Sequence, residues 1–345
     1  MKRFLVFTIL LLAAALLTTA NLKGEGIQFK GFVQTWLSYG EQNSGDDSGY
    51  GFTLRRVRLK PYGSFSDKIK WTLQVGWDRQ SAKLVDVYVD FLLSKEFNVR
   101  VGQFTAPGTI SGTLTSSSQL DFLERPMVTE KWSDVNALSG YRGIGIQADG
   151  EFLDEKLYYA VMLSNPRTTE LFNPSIKSTD YMHNYNGVMF WGRLEARPVK
   201  GLKLGAFYGG GKETDTELKR STYGAHIYYV DKGFNLKVEY IAGKWSLENA
   251  ETEYNGLYAV LGYKTGKVEP IFRYDNYTPN KDGIDSAAVE KYNNYTLGIN
   301  YYYNKNVKFQ ANFLLRDESI REESKAAGFD KIKNNLFYIC IQYSY

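Results

Sequence analysis

Residues 69 to 77 read Ile-Lys-Trp-Thr-Leu-Gln-Val-Gly-Trp, apolar at every odd position and polar or glycine at every even one. A period of two is the mark of a strand whose faces meet different surroundings. The pattern returns at 83–93, where Val85, Val87, Val89, Phe91 and Leu93 alternate with Asp86, Tyr88 and Asp90. It returns again near the end, with Phe337, Ile339, Ile341, Tyr343 and Tyr345 on one side. From Ile27 onward no convincing helical period of 3.6 competes with it. Sixteen strands are predicted: 27–39, 52–65, 69–78, 83–93, 97–104, 142–148, 156–164, 187–198, 202–209, 221–230, 234–245, 256–264, 268–276, 292–303, 307–316 and 334–345. That restricts the chain to an all-β fold.

The connections decide which all-β fold. Short turns at 66–68, 199–201 and 231–233 take turns with longer polar loops at 41–51, 165–186, 277–291 and 317–333. Short turns on one rim and long loops on the other describe a transmembrane antiparallel β-barrel. A soluble sandwich would explain any single strand, but not the regular rims or the aromatic content of 15%. The opening "MKRFLVFTILLLAAALLTTA" places two cations before an apolar run too short to span a membrane, so 1–20 reads as a cleaved secretory signal and 21–345 as one barrel domain. With a single cysteine, Cys340, no internal disulfide is available. The expected location is a Gram-negative type outer membrane, with lipid and lipopolysaccharide around the wall and no nucleic-acid partner.

In a barrel the apolar face meets lipid and the alternate face lines the lumen. In "GFTLRRVRLKPYGSF" (51–65), Arg56, Arg58 and Lys60 therefore form a cationic ladder opposite Val57 and Leu59. The same parity sends Lys30, Lys70, Arg100, Arg142, Lys156, Arg193, Arg197, Lys203, Lys237, Lys264, Arg273, Lys308 and Arg316 inward. Against them stand Asp78, Asp86, Asp90, Glu195, Glu239, Glu269 and Asp275. A net charge of +4 for the chain thus hides a cationic lumen, the kind of lining that selects small anions. The long loop 105–141 is expected to fold inward as a constriction, with Arg125 and Lys131 beside Glu124 and Glu130 as its candidate charges.

Four segments resemble the phosphate-selective porin O and P family: "FTLRRVRLKPYGSF" (52–65), "LVDVYVDFLLSKEFNVRVGQFTAPGTISG" (84–112), "LDFLERPM" (120–127) and "RGIGIQADGEF" (142–152). The resemblance implies a homotrimer of sixteen-stranded barrels that takes up phosphate passively through an arginine ladder. It also implies that the aromatic C-terminal strand is read by the barrel-assembly machinery. Gln103 and Thr105 stand where the family carries lysines in V-G-K-F-K. Anion passage is therefore the expectation, with phosphate or polyphosphate as candidate solutes and no cofactor.

Two other readings are a barrel hydrolase and a structural or adhesion barrel. "GIGIQA" (143–148) has dinucleotide-loop spacing but runs into a turn at Asp149 and Gly150, and "GGGKE" (209–213) lacks the phosphate-loop pattern. His183 and His226 are too few for a metal cluster, and His226 reads as a hydrogen-bonded wall residue.

Overall fold

The computed structural model describes residues 26–40, 49–78, 81–130, 142–165, 187–213, 219–247, 250–279, 289–326, 328, 331 and 334–345. The predicted leader, Lys131 and His183 lie outside these residues.

Sixteen strands close into one antiparallel barrel. They are β1 (Gln28–Gly40), β2 (Gly49–Ser66), β3 (Ile69–Asp78), β4 (Ser81–Leu92), β5 (Asn98–Thr105), β6 (Arg142–Phe152), β7 (Leu157–Ser164) and β8 (Gly187–Ala196), then β9 (Leu202–Glu213), β10 (Lys219–Asp231), β11 (Phe234–Leu247), β12 (Ala250–Tyr263), β13 (Val268–Thr278), β14 (Val289–Tyr302), β15 (Val307–Ile320) and β16 (Leu336–Ser344). Each pairs with its neighbours in sequence, and β1 closes the ring on β16 from Phe32 opposite Ser344 to Gly40 opposite Leu336. Among the described residues no helix is long and apolar enough to cross a membrane, so crossing falls to the strands. Their outward side chains are exposed and apolar, among them Phe52, Leu54, Ile146, Leu163, Leu194, Leu297 and Ile299.

Every predicted strand coincides with an observed one, and of the four register shifts among the described pairings two change the side of residues assigned by parity. Opposite Gln34 and Thr35 the β2 partner jumps from Arg56 to Leu54, leaving Arg55 as the extra residue. Opposite Gln74 and Val75 the β4 partner jumps from Asp86 to Leu84, leaving Val85 extra. An extra residue resets which face each neighbour takes. Val85, assigned by alternation to the outer apolar row, is withdrawn from it and is 2% exposed. Gln103, buried, donates its amide to the carbonyls of Leu84 and Val85 at 3.3 and 3.1 Å, which satisfies the backbone that this bulge disturbs.

The segment following β5 packs against inward side chains of the wall. Residues 106–130 run inside the wall, opening with a single π turn (Ile110–Leu114) capped by Thr109, whose Oγ1 accepts from the Gly112 amide at 2.8 Å. Phe104, Phe122 and Val128 pack with Met162, Trp191, Phe207, Ile241 and Tyr258 into a dry core within the barrel. Gly256 permits a close approach of wall to segment, since a Cβ there would lie 2.4 Å from Val128 Cγ2.

Candidate functional site

Two walls face the inserted segment, and they treat it differently. On β8, β11 and β13 to β15, inward side chains bond to its backbone. Glu239 accepts from the amides of Ile110 and Ser111 at 2.7 and 3.2 Å, from Ser111 Oγ at 3.0 Å and from Tyr258 Oη at 2.7 Å. Asp275 accepts from the Met127 amide at 2.8 Å and pairs with Arg273, which donates to the Glu124 carbonyl at 2.9 Å. Asn312 accepts from the Leu123 amide at 2.7 Å, and Lys237 pairs with Asp121 at 2.7 Å. Glu239, Asp275 and Asn300 are 0% exposed, so this wall and the segment form one packed body.

The wall from β2 to β7 is half open and carries ion pairs. Arg58 bonds Asp78 at 2.7 Å, and Lys83 shares the same carboxylate. Arg142 meets Asp86 at 2.8 Å, and Arg100 meets Asp90 at 2.6 Å while lying 4.0 Å from the centre of the Tyr88 ring. Farther round, Arg197 bridges Glu151 at 2.5 Å and Glu195 at 2.9 Å. Both members of the Arg100, Arg142 and Arg197 to Glu151 pairs keep part of their surface exposed, whereas Glu239 and Asp275 on the opposite wall keep none.

The structure gives the first two rungs of the expected ladder carboxylate partners. Arg56 and Arg58 are buried and matched to carboxylates, Glu124 for the first and Asp78 for the second. Desolvated cations demand partners, and the inserted segment and β3 supply them. Lys60 has no ion pair among the described residues; it stands directly opposite Lys30, whose ammonium lies 4.8 Å from the centre of the Tyr62 ring. Arg193 is enclosed with Glu195 at 2.7 Å and donates to the Gly108 carbonyl at 2.8 Å, holding the root of the inserted segment. Alternation did not reveal that Arg55 joins the inner group, because the bulge that turns it carries no signal in the sequence. Nor did it reveal Asp121 as a partner of Lys237, since that contact spans distant parts of the chain.

Arg125 serves as a brace within the segment rather than as a free constriction charge. It donates to the carbonyls of Ser111 and Thr115, the latter at 3.1 Å, and to Ser117 Oγ at 3.3 Å. Burial, with Arg56 nearby, pulls its pKa down to about 10, so it stays charged at neutral pH. Glu130 is shifted the other way: burial and then the neighbouring Glu124 raise its carboxyl above the ordinary range. His226 is enclosed, with Nε2 3.4 Å from both Glu195 Oε2 and Arg193 Nη2. No group of metal-binding side chains occurs among the described residues.

Residues 29–345 match the family model described as phosphate-selective porin O and P. The chain is similar in fold to the anion-selective porin from Comamonas acidovorans, with a TM-score of 0.67 and 13% identity over 93% of this chain and 99% of that one. It is likewise similar to the trimer form of OmpT, an outer membrane protein of Vibrio cholerae, with a TM-score of 0.65 and 14% identity over 92% and 99%. The outer membrane channel DcaP of Acinetobacter baumannii gives 0.63 and 10% over 93% and 97%. At these identities the structural likeness carries the fold alone. No curated protein sequence matches the chain.

Proposed function

We propose a function from the premise that this chain belongs to the phosphate-selective porin O and P family, a family of outer-membrane pores: it conducts small inorganic anions passively across the outer membrane, as a homotrimer, after export by a cleaved leader. The observation that carries this is the open wall. Arg55, Lys60, Lys70, Lys83, Arg100, Arg142 and Arg197 stand on this side of the lumen together with Asp78, Asp86, Asp90, Glu124, Asp149 and Glu151, seven cations to six carboxylates. In a narrow channel that excess raises the local concentration of anions over cations.

The pairing argues for selection by charge with modest affinity, because each carboxylate competes with a permeating anion for its arginine. Phosphate is a candidate solute on family grounds. Gln103 does not argue against it, since its amide is committed to the β4 bulge rather than to a solute. A hydrolase needs a nucleophile and base in reach of solute, whereas His226 is sealed between Glu195 and Arg193. The test is a planar lipid bilayer: the full-length protein should give stepwise conductance with a reversal potential in a KCl gradient on the anion-favouring side. Absence of steps, or a cation-favouring potential, would reject the proposal.

A further inference from the structure

One carboxylate in the lumen is held unlike the others. Glu124 sits against two adjacent guanidinium groups, with Arg55 donating through Nε and Nη2 to Oε1 at 3.3 and 3.2 Å and through Nη2 to Oε2 at 3.4 Å. Arg56 Nη2 donates to Oε2 at 3.3 Å. Charge-assisted contacts between well-seated partners run about 2.7–2.9 Å, and those in the filled wall conform, at 2.7 Å for Arg193 with Glu195 and 2.9 Å for Arg273 with Asp275. Four contacts at 3.2 Å or longer describe a carboxylate resting in a site larger than itself.

The two arginines have anchors besides Glu124. The bulge in β2 aims Arg55 to the same side as Arg56, and the two guanidinium carbons lie 5.3 and 5.7 Å from the centre of the Trp36 ring, itself buried. Arg56 is further held by Gln34 Oε1 at 3.3 Å and the Leu123 carbonyl at 3.4 Å. The backbone at Glu124 likewise has anchors of its own. Arg273 grips its carbonyl at 2.9 Å, and Asn312 grips the preceding amide at 2.7 Å. The carboxylate, about a fifth exposed at 22%, borders the open lumen.

We propose that Glu124 is a specificity-determining residue of the pore: its carboxylate acts as a tethered counter-ion in the Arg55 and Arg56 site and is displaced by oxyanions passing through. A tetrahedral oxyanion such as phosphate or sulfate presents more oxygens than a carboxylate and fills the longer contacts. Glu124 thereby limits how tightly the pore holds such anions, keeping release fast, since conduction needs binding weak enough to let go. This rests on the anion-pore reading.

The test uses full-length protein in planar bilayers, comparing the parent with Glu124→Gln, which keeps an oxygen for Arg55 and removes the charge. The permeability ratio of chloride to potassium should rise about threefold, and inorganic phosphate should block chloride current at a concentration about threefold lower. A merely structural role for Glu124 would alter conductance without moving the ratio. An anion-selective parent with unchanged ratio and block in Glu124→Gln overturns the role of Glu124 alone, and a parent without conductance steps overturns the pore reading on which it rests. If Glu124→Gln does not insert, Arg55→Gln is read in its place: it leaves the carboxylate with one arginine and should lower the ratio, and an unchanged ratio overturns the proposal.

Discussion

The two walls of the lumen use the same side chains for different ends. Glu239 and Asp275 on one wall, Asp86 and Asp90 on the other, are all inward carboxylates beside hydrogen-bond donors. The first two are sealed from water and grip the backbone of the inserted segment, while the second two face arginines and the open lumen. A charge sealed from water is costly unless fully bonded, and removing its partner is costlier still; a half-exposed pair contributes little to stability. Burial therefore decides which carboxylates hold the barrel's interior and which shape its field.

Trp191→Ala empties the core beneath the inserted segment, where Trp191 is 1% exposed, and should lower stability by about 4 kcal/mol, read from urea unfolding in micelles. Glu239→Ala strands the amides of Ile110 and Ser111 and leaves the Tyr258 hydroxyl with Tyr228 alone. It should lower stability by about 3 kcal/mol and raise single-channel conductance as the segment loosens. An unchanged conductance would mean that the core alone holds the segment.

On the open wall the balance inverts. Arg142→Gln breaks the partly exposed pair with Asp86, with a stability change of under about 1 kcal/mol and a reversal potential shifted toward cations. That shift should shrink in concentrated salt, since the screening length falls from about 10 Å at 0.1 M to about 3 Å at 1 M. A large loss of stability here would erase the distinction between the walls.

The smallest effect is a pH dependence at Glu130. Its folded-state pKa lies above the ordinary 4.5, so the folded chain binds this proton more readily than the unfolded one. The resulting stabilisation is complete below 4.5 and disappears as pH rises through the raised value. Protonation also removes a negative charge beside Arg125 and Arg56, so chloride selectivity should increase over the same fall in pH. Both trends should vanish in Glu130→Gln, measured by unfolding midpoints and reversal potentials at matched pH.

The strands were legible because their two faces meet lipid and lumen, and Ile69 to Trp77 shows that contrast residue by residue. Arg55 and Val85 were not, because one inserted residue changes the side of its neighbours without changing composition. The filled wall was hidden for a further reason. At β8, inward Met189 and Trp191 are as apolar as outward Val188 and Phe190, so alternation loses its contrast where the lumen is dry. Arg193, Arg197 and Arg100 were placed on the inner face by parity, but their carboxylate partners could be named only once the chain was folded.

The seam between β1 and β16 sets the order of events during folding. Phe32 pairs with Ser344, and Gly31 exchanges backbone hydrogen bonds with Tyr345 at 3.2 and 3.1 Å, so contacts spanning almost the whole folded chain complete the ring. Neighbouring hairpins can form as they emerge, whereas this pairing waits for the last strand and carries the largest loop-closure entropy. Until it forms, two long strands remain with unpaired amides and carbonyls, each a template for association with another chain. Closure is thus the slow and vulnerable step, and the interval before it is when the chain most needs protection from its own copies.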